Sequence, residues 1–179
     1  MKGSMMGTPL TIQLILDRAR RIFPRKEIVS RTAAGFHRYT YADLYARAAR
    51  LANVLRRLGV RKGDRVATFA WNSYRHLELY FAVPCSGAVL HTLNIRLFPD
   101  QIAYIINHAE DRVILVDDVL LPALAALRDR LPTVRHLVVM GDGPIAESWR
   151  VPVHRYEDLL ADAPEAFDFP LLHEDDAAG

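Results

Sequence analysis

Apolar residues recur at two different spacings along the chain, and the change of spacing after Gly59 divides it. In the first part, Ile12, Ile15, Ala19 and Ile22 fall at helical spacing, with Asp17, Arg18 and Arg21 on other faces. Thr8-Pro9 reads as an N-cap followed by proline at the first helical position, and Pro24 ends the helix. Glu27 to Thr32 and Phe36 to Tyr39 read as two strands around an Ala33-Ala34-Gly35 turn, which predicts a hairpin. Thr40 with Asp43 three residues on is the reciprocal capping arrangement. Leu44, Ala48, Leu51, Leu55 and Leu58 then form a core-facing helical stripe. Gly59 stands just past its end, where a left-handed residue closes the helix.

Beyond Gly59 the apolar residues cluster in short continuous runs. Val66–Ala70, Val113–Val116 and Leu137–Met140 are such runs, and Val89–Leu93 is a fourth that carries His91 and Thr92. Helical patterns separate them: Ser73 to Val83, ended or kinked by Pro84; Pro99 to Ala109; and one with Leu120, Leu124, Leu127 and Leu131 on one face. Short apolar strands alternating with helices predict a parallel sheet covered on both sides. The expected fold class is α/β: an N-terminal hairpin and helices, then a mostly parallel, doubly wound sheet. Gly141-Asp142-Gly143-Pro144 is a turn cluster, Tyr156 to Ala161 a short helix, and residues 144–179 a less regular tail.

Composition narrows the class. Of 179 residues, 51% are hydrophobic and 25% charged, which fits a globular chain rather than a disordered one. The formal net charge of +2 argues against a nucleic-acid partner. The cluster Arg18, Arg20, Arg21, Arg25 and Lys26 reads as a solvated face. Cys85 stands alone, so it has no internal disulfide partner, and its apolar surroundings suggest a buried, inert thiol. Met1 to Leu10 lacks the apolar core of a secretory signal, and no apolar run approaches the ~18 residues of a membrane span. The expected localisation is cytoplasmic.

In open α/β sheets, ligands bind outside the carboxyl ends of the strands. That rule selects Trp71-Asn72-Ser73, His91 to Arg96, Asp117-Asp118 and Gly141-Asp142. Asn72 or Ser73 suits a helix cap, as do Asp117 and Asp118. Gly141-Asp142-Gly143 lacks the following helix with Lys and Ser/Thr that a phosphate loop needs. His91 and Thr92 at a strand end, followed by Asn94 and Arg96, place donors where an anionic ligand could lie. His76 and Glu78 are two apart on a helix and face different ways, so they do not share a metal.

Four ordered strings carry a family resemblance: Tyr39-Thr40-Tyr41-Ala42-Asp43-Leu44; Leu58-Gly59-Val60-Arg61-Lys62-Gly63-Asp64-Arg65-Val66-Ala67; Gly87-Ala88-Val89-Leu90-His91-Thr92-Leu93-Asn94; and Ile102-Ala103-Tyr104-Ile105-Ile106-Asn107-His108-Ala109-Glu110. Together they resemble the N-terminal region of AMP-forming acyl-CoA synthetases. Leu93-Asn94-Ile95-Arg96-Leu97-Phe98-Pro99 is most similar to the medium- and long-chain fatty-acyl-CoA ligase branch.

The resemblance implies a two-step chemistry in the intact enzyme. ATP, with Mg2+, converts a fatty acid to an acyl-adenylate and pyrophosphate. CoA then displaces AMP to give the thioester. It implies a phosphate loop with a lysine and a mobile C-terminal domain, neither found in residues 1–179; the ending Asp175-Asp176-Ala177-Ala178-Gly179 resembles the lead-in to that loop. The expectation is therefore a partial AMP-binding domain over 1–179 with no catalytic residue and no metal ligand, inactive alone and binding no cofactor tightly. By the same resemblance, Asn94, Ile95 and Arg96 face the CoA nucleotide, and a homodimer is plausible. An apolar face or open strand edge is expected to cause self-association. The competing expectations are a non-enzymatic module that pairs with a full-length ligase subunit, and a small nucleotide-binding domain of another family.

Overall fold

The computed structural model describes residues 7–32, 35–145 and 148–179. Helix α1 (Ile12–Ile22) precedes strands β1 (Glu27–Thr32) and β2 (Gly35–Thr40), which pair antiparallel from Glu27↔Thr40 to Thr32↔Gly35. The predicted hairpin is present; Ala33 and Ala34 of its expected turn lie outside the described residues, as do residues 1–6 of the segment checked for a leader. Helix α1 starts later than Thr8-Pro9 suggests. Thr11 holds the N-cap position, and the backbone N–H of Leu10 donates to Glu174 instead of entering a helix. Its buried residue is Leu16, with Ile12 packed beside it, while Ile15 and Ile22 of the expected stripe are exposed.

Helix α2 (Tyr41–Arg57) bears out its sequence signals. Thr40 Oγ1 accepts the Asp43 N–H, and the Asp43 carboxylate accepts the Thr40 N–H at 2.8 Å. Leu44, Ala48, Leu51 and Leu55 are buried, and Gly59 takes φ +83°, a region disfavoured for residues with a Cβ.

The remaining elements are β3 (Arg65–Phe69), α3 (Tyr74–Cys85), β4 (Val89–Thr92), α4 (Pro99–His108), β5 (Val113–Asp117), α5 (Leu121–Ala125), β6 (His136–Met140), β7 (Val153–Arg155) and α6 (Tyr156–Ala161). The second sheet is parallel throughout, in the order β4-β3-β5-β6-β7. The chain leaves β3 toward β4 on one side and then crosses back to β5 on the other. That reversal is the topological switch point of a doubly wound sheet, in the flavodoxin-like order.

Its two faces are covered by separate cores. Val66, Leu90, Val113, Leu115 and Val138 meet α1, α2, α3 and α6 on one side. Ala67, Phe69, Ile114, Val116, Leu137 and Val139 meet α4 and the 118–131 region on the other. Alternate strand residues thus serve both faces, which explains the continuous apolar runs.

Two sequence expectations need correction. Pro84 lies inside the last turn of α3, which continues to Cys85. Residues 118–131 form not one helix but a 3₁₀ turn (Asp118–Leu120), α5 and a second 3₁₀ turn (Arg128–Arg130). Both helix types return a side chain to one face every three or four residues, so the leucine spacing fits either. Residues 162–179 run back over α2 and α3: Asn53 donates to the carbonyls of Pro164 and Ala166, Lys62 pairs with Asp176, and the Leu90 N–H of edge strand β4 donates to Ala178.

Candidate functional site

The carboxyl ends of β3 and β5 flank the switch point, and a direct bond ties them. The Trp71 backbone N–H donates to Asp117 Oδ2 at 2.7 Å. Burial raises the Asp117 carboxyl above its ordinary range, against the lowering effect of that bond. Asp117 therefore links two strand ends rather than capping the following turn. Ser73 does cap: its Oγ accepts the His76 N–H at the start of α3.

Asp118 closes the next loop. Its Oδ1 accepts the Val119 N–H at 2.7 Å and its Oδ2 the Gly143 N–H at 2.8 Å. Gly141, at φ +124°, leaves room for this carboxylate; a Cβ there would sit 2.2 Å from Asp118 Oδ2. Arg155 of β7 donates to the Gly141 carbonyl at 3.0 Å. The glycine turn is thus already occupied by an acidic side chain. That is the opposite of a phosphate cradle, in which open N–H groups await an anion. The turn does not fit a nucleotide phosphate. Among the described residues, no group of three or more His, Cys, Asp or Glu side chains comes together.

The residues singled out from the end of β4 onward do not converge on a single point. Asn94 is exposed and accepts the Arg96 N–H on its side-chain oxygen at 3.0 Å, which shapes the loop. Ile95 is half-buried against the second core. Arg96 is exposed, and its guanidinium has no carboxylate partner among the described residues. His91 does not join this loop. Its Nδ1 lies 2.8 Å from the buried carboxylate of Asp111, in the connection before β5.

Sequence reasoning missed a network of buried and half-buried charged groups. Glu78 is fully buried on α3 and receives Arg47 Nε at 2.7 Å and the Tyr156 hydroxyl at 2.6 Å. Glu157 adjoins it and receives Arg47 and Arg75 at 2.9 and 2.8 Å. Burial pushes the Glu78 carboxyl up, whereas the two guanidinium groups outweigh burial at Glu157 and hold its carboxyl below the ordinary value. The network joins α2, α3 and α6. His76 points elsewhere, with its Nε2 3.0 Å from Thr68 Oγ1.

Residues 16–178 match the family described as AMP-binding enzyme. The chain belongs to that family. It is 56% identical to a long-chain-fatty-acid–CoA ligase of Thermus thermophilus over 78% of this chain and 26% of that protein. It is 41% identical to a 3-methylmercaptopropionyl-CoA ligase of Ruegeria lacuscaerulensis over 99% of this chain and 33% of that protein. The anthranilate CoA ligase AuaEII, solved with anthranoyl-AMP, superposes with a TM-score of 0.83 at 25% identity, covering 98% of this chain and 32% of that one. The chain spans about a quarter to a third of the length of these curated relatives. The fatty-acyl-CoA ligase resemblance and the α/β class with a parallel sheet are both borne out. No helix among the described residues is long and apolar enough to cross a membrane.

Proposed function

We propose that residues 1–179 form the first part of an adenylation domain acting in ATP-dependent ligation of a fatty acid to CoA. The observation that carries this reading is the lopsided match: nearly the whole chain aligns, yet only a minor part of each relative does. On this reading the 179 residues are inert alone. What supports this is that Asp118 already fills the glycine turn and that, among the described residues, no three metal-ligating side chains come together. Their contribution is a rigid sheet whose carboxyl end carries the Asn94–Arg96 loop, with Arg96 directed at the anionic nucleotide part of CoA.

The intact ligase would use ATP and Mg2+ to activate the carboxylate, and the chemistry belongs to the part of the domain outside these residues. The acyl chain itself is left open by relatives that name both long-chain and sulfur-containing short acids. The test is ATP–pyrophosphate exchange with a panel of fatty acids. The expected result is no exchange by the 179-residue chain; exchange above background overturns the reading.

A further inference from the structure

At the opposite end of the sheet from the switch point lies a partly open pocket of about 210 Å³. Its floor is apolar, built from Ile114 near the start of β5, Leu137 near the start of β6, and Leu131 and Val134 from the segment leading into β6. Trp149 and Val151, from the connection leading into β7, form a wall. The Trp149 indole N–H has no acceptor among the described residues.

The rim is basic. Of its four charged residues, three are arginines: Arg128, Arg135 and Arg150. Arg150 is paired with Asp129 at 3.0 Å. Arg128 and Arg135 form no ion pair among the described residues. A planar guanidinium recognises a carboxylate through two parallel N–H bonds. An apolar floor with convergent polar groups is the ordinary make-up of a small-molecule site. The volume is below the ~300–1,000 Å³ of drug-sized pockets, so the occupant is small.

We propose that this cavity is a binding site for a small carboxylate carried on an apolar body, an aryl or short branched acid. It is separate from the carboxyl-end loops, because its lining precedes or opens β5, β6 and β7 whereas Asp117, Gly141 and Arg96 follow their strands. An acid bound here is held by the sheet without approaching Arg96, so the site is accessory to any ligation. The proposal does not depend on the ligase reading.

The experiment uses the 179-residue chain with benzoate as the probe and Trp149 fluorescence as the signal. The chain has two tryptophans, and W71F leaves Trp149 as the sole reporter. Benzoate is expected to give a saturable change that weakens at least tenfold in R128Q/R135Q. Benzamide, the uncharged analogue, and acetate, which lacks the apolar body, are each expected to bind at least tenfold more weakly than benzoate. Higher salt should weaken benzoate binding, because the rim is exposed. No saturable response, an equal response to benzamide or acetate, or an unchanged affinity in R128Q/R135Q overturns the proposal. The analogue arms use the unmutated pocket and stand even if the double variant folds poorly.

Discussion

Tyr156 donates its hydroxyl to the buried carboxylate of Glu78 at 2.6 Å, and this bond pins α6 to α3 across 78 residues of chain. Tyr156 is itself buried, so neither group has water to fall back on. Y156F removes the donor while keeping the ring. It should cost about 1.5–3 kcal/mol, the range for a hydrogen bond to a charged group. Urea unfolding monitored by circular dichroism measures it. E78L would remove the acid but leave Arg47 facing an apolar side chain, and should cost at least as much.

The cap of α2 gives a pH-dependent prediction. The Thr40 side chain first, and its backbone N–H second, lower the Asp43 carboxyl below its ordinary 3.8. A depressed carboxyl adds stability above its unfolded value and loses it as pH falls through the folded one. T40A should therefore cost about 1 kcal/mol at pH 7. The gap from wild type should narrow near pH 3. A gap that stays constant across that range would show that the cap does not act through the Asp43 charge.

Gly141 and Asp118 form a steric pair. G141A places a methyl against the Asp118 carboxylate at a backbone angle that alanine resists, and should destabilise by more than ~1 kcal/mol. D118A removes the three atoms nearest that methyl. The double variant G141A/D118A should recover part of the loss but not all, because the backbone strain remains. Full additivity of the two single effects in thermal melts would contradict the contact.

Cys85 is buried and free, and burial pushes its thiol up to about 12. A disulfide reagent at pH 8 should leave it unlabelled in the folded chain and modify it at the rate of unfolding. Labelling within the mixing time without denaturant would show that the helix end opens readily.

Arg96 is the residue on which the CoA reading turns. In a chimera that joins residues 1–179 to the remainder of a full-length relative, R96A should weaken CoA binding by about tenfold, the effect of losing one charge-assisted contact. Calorimetry with CoA and with dephospho-CoA checks this. Equal affinities for wild type and variant would remove the loop from the site.

Much of the fold could be read from residue order because the responsible interactions are local. Thr40 and Asp43 are three residues apart, and Gly59 directly follows the helix it closes. The parallel strands were legible because both faces are buried. Strand β7 was not: Val153-His154-Arg155 is short and half-exposed, so it carries no apolar run. Arg47 and Glu157 lie 110 residues apart, and His91 and Asp111 twenty apart. No spacing rule connects such pairs. His91 therefore has a partner that residue order does not show, and the reading of Asp117 as a cap failed because its partner, the Trp71 N–H, follows a different strand.

The bond from Leu90 to Ala178 has a consequence for synthesis. Strand β4 is made early, but the group that covers part of its edge comes 88 residues later in the chain. During that interval the nascent sheet is open on one side, where another unfinished copy can pair with it. Slower translation through the codons for residues 160–178 should lengthen the exposure and favour aggregates. Holding chaperones have their clearest opportunity in the same window.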